Sequence, residues 1–199
     1  MIAGPSEVLV IADDSAEPEF IAADLLSQAE HDTLASAVLV TDSREIAETV
    51  RKKVKSQLEQ IDRSDIARKS LENYGAILVV ENIEAAIALS NAIAPEHLEL
   101  HIREPFEHIG EIRNAGAVFM GSYTPEPVGD YIAGPNHVLP TAGTARFSSA
   151  LSVDNFIKKT SIIHYSESAF RREAEDVIRL AEIEGLGAHA SSVQVRLQK

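Results

Sequence analysis

Several groups of polar residues in this chain have the types and spacing that chemistry requires. One lies in the stretch Gly121 to Thr141, GSYTPEPVGDYIAGPNHVLPT. It is too rich in Gly and Pro to form one helix or one strand. It nevertheless holds Asp130 and His137, polar groups that could act as ligands, acids or bases. Ordered irregular backbone with such groups is where binding and catalysis are commonly housed, whereas long structureless connections are uncommon. Gln28 and His31 form a second group, three residues apart on a helical pattern, so both side chains share one face. An amide oxygen and a neutral imidazole can both ligate a divalent metal. The same pair could equally be solvated or cap a helix end.

Pro95-Glu96-His97 joins a carboxyl group to an imidazole. Adjacent strand residues point to opposite faces, so a shared site needs a turn, which Pro95 makes plausible. His titrates near neutral pH and suits a general base. An exposed polar pair at a strand entry is the alternative. Glu184 and His189 flank a Gly-Leu-Gly break, where a simple helix end would also fit. Ser6 follows Gly4-Pro5 and precedes a strand, as a turn residue or a polar contact. His101, His108 and His164 have no supporting context and receive no role.

The elements that must position these groups alternate. Glu7–Ala12 (EVLVIA) predicts a buried strand and Pro18–His31 a helix, with Pro18 in the first turn. Ser36–Thr41 (SAVLVT) predicts a second strand. Ser43–Gln60 predicts a charged amphipathic helix capped by Ser43, and a further helix runs from Asp62 to Asn73. Ala76–Val80 predicts a strand, Ile83–Ile93 a helix, and Leu98–Ile102 and Ala117–Met120 short strands. Such alternation implies an α/β fold, a mostly parallel sheet covered by helices and incompletely Rossmann-like. Both faces of that sheet are buried, hence the continuous apolar strands. Ligands on such sheets bind beyond the carboxyl ends of the strands, where the loop after Met120 lies.

The expected domains are 1–150, the α/β body, and 151–199, a small C-terminal tail. In the tail, Lys158–Tyr165 is a possible strand, Ser166–Glu184 a helix, and His189–Gln198 a final segment. The tail is too small to bury its own core and is expected to pack on the body or on another subunit.

The composition, 45% hydrophobic and 25% charged, fits a globular protein. The net charge of −13 argues against a nucleic-acid partner and against docking on anionic membrane. Cysteine is absent, which excludes disulfides, thiolate metal sites and cysteine nucleophiles. No signal-peptide pattern opens the chain, and no apolar run reaches the roughly 18–20 residues of a membrane span, so a cytoplasmic location is expected. There is no G-x-G-x-x-G after a strand, no P-loop and no G-x-S-x-G elbow. From residues alone, this is an acidic cytoplasmic α/β protein with a candidate non-cysteine metal site.

Five blocks narrow this further: AGPSEVLVIAD (Ala3–Asp13), LLSQAEH (Leu25–His31), APEHLEL (Ala94–Leu100), GDYIAGPNHVLPT (Gly129–Thr141) and EGLGAH (Glu184–His189). In this order the blocks closely resemble histidinol dehydrogenase, a zinc enzyme of histidine biosynthesis. The resemblance implies zinc held by Gln28, His31, Asp130 and His189. It implies Glu96 and His97 as the acid–base pair. It implies substrate contacts from Ser6, His137 and Glu184, beside His97 and the metal ligands. The implied reaction oxidises L-histidinol to L-histidine with two NAD molecules reduced; no residue here is assigned to NAD. The implied assembly is a homodimer in which an exchanged tail carries Glu184 and His189 to the partner's site.

Family members are about twice as long, and the motifs correspond to the C-terminal portion of their chain. The expected fragment lacks the N-terminal part that supplies most nicotinamide contacts, which raises the question of activity by this chain alone. Two other readings stand beside the enzyme: a zinc-dependent histidinol-binding module without catalysis, and a related dehydrogenase of another hydroxylated substrate. A structural remnant, without zinc, is a further alternative.

Overall fold

The computed structural model describes residues 3–198. The chain divides into two compact units, Met1–Phe156 and Ile157–Lys199. In the first, the order is β1 (Glu7–Ala12), α1 (Pro18–Ala29), β2 (Ser36–Thr41), α2 (Arg44–Leu58), α3 (Ser64–Tyr74), β3 (Gly75–Val79), α4 (Ile83–Ile93), β4 (His97–His101), β5 (Ala117–Met120) and α5 (Glu126–Tyr131). The second holds α6 (Glu167–Ile183) and α7 (Gly187–Leu197).

All strand pairs are parallel, in the order β3-β2-β1-β4-β5. The α/β expectation is met, and β1 lies at the centre of the sheet. Its side chains alternate between two cores, as strand geometry demands. Val8, Val10 and Ala12 pack with Ile21, Leu25 and Leu26 of α1 and with Ile46 and Val50 of α2. Leu9 and Ile11 pack on the opposite face with Ala86 and Ile87 of α4 and with Leu98 and Leu100 of β4. Local signals set the helix starts. Pro18 occupies the first turn of α1, and the Ser43 and Asn82 side chains accept from the Ile46 and Ala85 N–H groups.

Two expectations are corrected. The stretch from Gly121 to Thr141 contains α5, so Asp130 sits on a helix and not in irregular backbone. The segment 158–165 forms no strand, and Ile162 and Ile163 are exposed. A β-branched run is no strand without a neighbour to take its backbone groups. The second unit buries mainly small side chains, Ala174, Ala181, Ala190 and Val193. Among the described residues, no helix is long and apolar enough to cross a membrane.

Candidate active site

Strand β4 reads HLELH, and every residue of it is buried. A buried parallel strand is normally apolar throughout. Here Leu98 and Leu100 enter the α4 core, so His97, Glu99 and His101 face the other way. The register sets them beside Val8, Val10 and Ala12 of β1, on the face covered by α1. On the other side, Phe119 of β5 pairs with Glu99, and its ring lies 5.8 Å from the His97 ring.

Glu96 and His97 reach one place because the chain turns just before them. Helix α4 ends at Ala94 in the left-handed conformation, and Pro95 follows. Both residues are then held by the backbone of one residue of β1. The Glu7 N–H donates to Glu96 Oε2 at 2.9 Å, and the Glu7 carbonyl lies 2.9 Å from His97 Nδ1. A carbonyl can only accept, so Nδ1 carries the proton and Nε2 is the basic nitrogen. Nε2 is buried without a hydrogen-bond partner and lies 4.0 Å from Glu126 Oε1.

Burial lowers the His97 pKa, against the opposing pull of the Glu7 carbonyl, which keeps the ring neutral and basic. Burial pushes Glu96 the other way, up to about 7, although the Glu7 N–H and the Ser6 side chain both stabilise its carboxylate. Glu96 can therefore hold and release a proton near neutral pH, beside an imidazole whose pKa burial lowers.

Helix α5 brings the next carboxylates. Glu126 and Asp130 are four residues apart, on one helical face. Burial first, and then the Asp130 carboxyl, push Glu126 up to about 8. His97, Glu126 and Asp130 each offer a ligand atom within 4.8 Å of the others. Glu99 fixes the start of this helix by accepting the Glu126 N–H at 2.8 Å. Gly129 lets it approach the sheet, because a Cβ there would meet Phe119 Cε1 at 2.6 Å.

Helix α1 ends at Ala29, short of the expected His31, so it supplies Gln28 while His31 sits in the turn just beyond it. Gln28 is 1% exposed, and neither atom of its amide has a hydrogen-bond partner. A buried amide in that state costs free energy unless a ligand satisfies it. His31 Nδ1 is 2.8 Å from the Ser27 carbonyl, which frees Nε2 for a metal. The charges of Asp130 and His31 both reach the His97 ring, where the first raises and the second lowers its pKa. An amide oxygen, an imidazole nitrogen and a carboxylate are donor types that a divalent cation of the zinc type accepts, and the Asp130 carboxylate already lies among the ligand atoms of His97 and Glu126. His137 is exposed and lines, with Asp130, a cavity of about 370 Å³ beside Phe119 and Leu139. Glu184 caps the C-terminal end of α6 and His189 lies in the first turn of α7, both exposed, on the second unit.

The site lies at the amino ends of β1 and β4, where Ser6, Glu7, Glu96 and His97 sit. The carboxyl-end expectation is therefore corrected: α5 starts after β5 but folds back across the sheet face, where Glu99 anchors it. Sequence reasoning missed Glu126, Asp24, Glu99 and His101. The available signal was the alternation of polar residues in HLELH, joined to Asp24 one turn before Gln28 and Glu126 one turn before Asp130.

Fold and site together define an α/β protein with a buried glutamate–histidine pair beside a cluster of potential metal ligands. Residues 1–197 match the family described as histidinol dehydrogenase. The chain belongs to the histidinol dehydrogenase family. It is 57% identical over 198 residues to the histidinol dehydrogenase of Clostridium acetobutylicum, covering 100% of this chain and 46% of that protein. The Caldanaerobacter subterraneus enzyme is 60% identical over 186 residues, 94% of this chain and 43% of that one. The crystal structure of histidinol dehydrogenase from Elizabethkingia anophelis superposes with a TM-score of 0.88 at 44% identity, covering 100% of this chain and 46% of that one. The chain thus spans about half the length of the relatives it matches. These shares measure the extent of the match and lend no support to placing it at the relatives' C-terminal end.

Proposed function

We propose that this chain carries the zinc-binding and acid–base part of a histidinol dehydrogenase, an oxidoreductase converting L-histidinol to L-histidine in the cytoplasm. The observation that carries this is the state of His97: Nδ1–H held by the Glu7 carbonyl, and a buried, unpartnered Nε2 facing the Glu126 and Asp130 carboxyls. Gln28, His31 and Asp130 would hold the metal. By family resemblance, His189 of a second copy completes the set, and Glu184 of that copy joins the substrate contacts with Ser6 and His137. When bound, zinc gives the substrate a point of attachment and NAD accepts hydride; neither changes what the side chains must do.

His97 Nε2 takes the hydroxyl proton as the carbinol carbon gives up hydride, which leaves an aldehyde. Glu96, poised near neutrality by burial, takes a proton from the water that adds to that aldehyde. The hydrate then loses a second hydride and a proton to give the acid. Two hydrides leave the substrate and one water enters it, so two NAD molecules are consumed per histidine. Retention of the aldehyde between steps prevents its escape.

Substrate exchange tests this reading. The zinc-loaded chain is expected to bind L-histidinol in preference to an amino alcohol lacking the imidazole. Equal binding of both would favour a dehydrogenase of another hydroxylated substrate.

A further inference from the structure

A second cluster lies on the same sheet face and is used by no step above. Asp24 of α1 and Glu99 and His101 of β4 each offer a ligand atom, all within 4.8 Å of one another. Glu99 and His101 are 0% and 2% exposed, and Asp24 is 9% exposed. His101 Nε2 lies 3.4 Å from Asp24 Oδ2 and 3.4 Å from Glu99 Oε2. None of these three atoms has a hydrogen-bond partner, and neither does His101 Nδ1.

We propose that Asp24, Glu99 and His101 form a second site for a divalent cation, bound by two carboxylates and one neutral imidazole. The spacing supports this. A single Nε2–H cannot point at two carboxylate oxygens, and 3.4 Å exceeds the usual N–H···O length of about 2.9 Å. Ligand atoms about 2.0–2.1 Å from a tetrahedral zinc ion lie roughly 3.3–3.4 Å apart. Charge supports it too. Two carboxylates and a neutral imidazole balance a dication, and burial raises the Glu99 pKa when no cation is there to stabilise its charge. The outer contacts are in place for one ligand, since Glu99 Oε1 is fixed by the Glu126 N–H at 2.8 Å. Without a cation, the site attracts a proton: burial lowers the His101 pKa, but Asp24 and Glu99 more than reverse this and raise it to about 9. A cation here would tie α1, which carries Gln28 and leads into His31, to β4, which carries His97. The site stands on its own geometry and does not depend on the function proposed above.

The test is a metal count on the full chain, stripped with chelator, reloaded with zinc alone and dialysed. Two equivalents are expected in the wild type. Asp24→Asn and His101→Gln are each expected to lose one, and Asp130→Asn to lose the other. The histidine ¹⁵N spectrum of the wild type gives an independent reading: zinc should convert His101 from imidazolium to a metal-bound neutral ring. A single equivalent that survives His101→Gln, with His101 still imidazolium, would overturn the proposal and leave a protonated triad. A single equivalent lost in His101→Gln but kept in Asp130→Asn would sustain it while removing the first site.

Discussion

His97 and Glu7 are joined by a 2.9 Å hydrogen bond from the imidazole Nδ1 to the backbone carbonyl. The N–H of the same Glu7 binds Glu96 at 2.9 Å. One residue of the central strand thus sets the tautomer of His97 and the position of the Glu96 carboxyl. Because the contacts are to backbone, no Glu7 substitution other than proline removes them directly.

Replacing the base should separate chemistry from binding. In an active assembly, His97→Asn is expected to lower turnover on the order of 10²- to 10⁴-fold while leaving substrate affinity close to the wild type. Steady-state kinetics check this. Parallel loss in kcat and in affinity would contradict the assignment of His97 as base.

Gln28 should oppose stability and function. Its amide is buried with both polar atoms unpartnered. Gln28→Leu is expected to stabilise the metal-free chain by about 1–3 kcal/mol, the cost of an unsatisfied buried group. The same change should weaken zinc binding. Urea unfolding with and without zinc reads both effects, and a destabilised metal-free variant would count against an orphaned amide.

These positions mark how far the sequence could be followed. Strands β1, β2 and β3 were legible because they are continuous apolar, largely β-branched runs. Asp130 was found as a chemical residue but given to a loop: Gly and Pro dominate its neighbourhood, and the helix there depends on tertiary anchors. Those anchors are the Glu99 carboxylate at its first turn and the Phe119 ring against Gly129. His101 received no role because its partners, Asp24 and Glu99, meet it only once α1 lies on β4. No periodicity states which helix covers which strand.

Gly129 is a packing constraint on Asp130. A Cβ at Gly129 would lie 2.6 Å from Phe119 Cε1. Gly129→Ala is expected to cost about 1–3 kcal/mol through overpacking and to weaken zinc binding by shifting α5. Adding Phe119→Leu should recover part of both losses, as a double-mutant cycle can measure. Additive losses would show that the two side chains do not meet.

The stability of the metal-free chain should fall as pH rises from about 4.5 to about 8. Glu126 is pushed up to about 8 in the folded chain from an ordinary 4.5. A carboxyl group with a raised folded pKa binds its proton more tightly in the native state. Its contribution is therefore complete below the unfolded value and lost as pH passes through the folded one. Glu96, raised to about 7, acts in the same direction. His97 opposes them only below its unfolded value of about 6.5, because its folded pKa is lowered. Glu126→Gln should flatten the upper part of the profile, as thermal melts at several pH values can check. An unchanged slope would mean that Glu126 is ionised in the fold.

The central claim is that Gln28, His31 and Asp130 build a zinc site that recognises the substrate. Calorimetric titration of L-histidinol into the chain, with zinc and again after chelation, tests it most directly. The expected result is binding that requires zinc and disappears in Asp130→Ala. Binding of equal strength after chelation, or zinc retained stoichiometrically by Asp130→Ala, would contradict it.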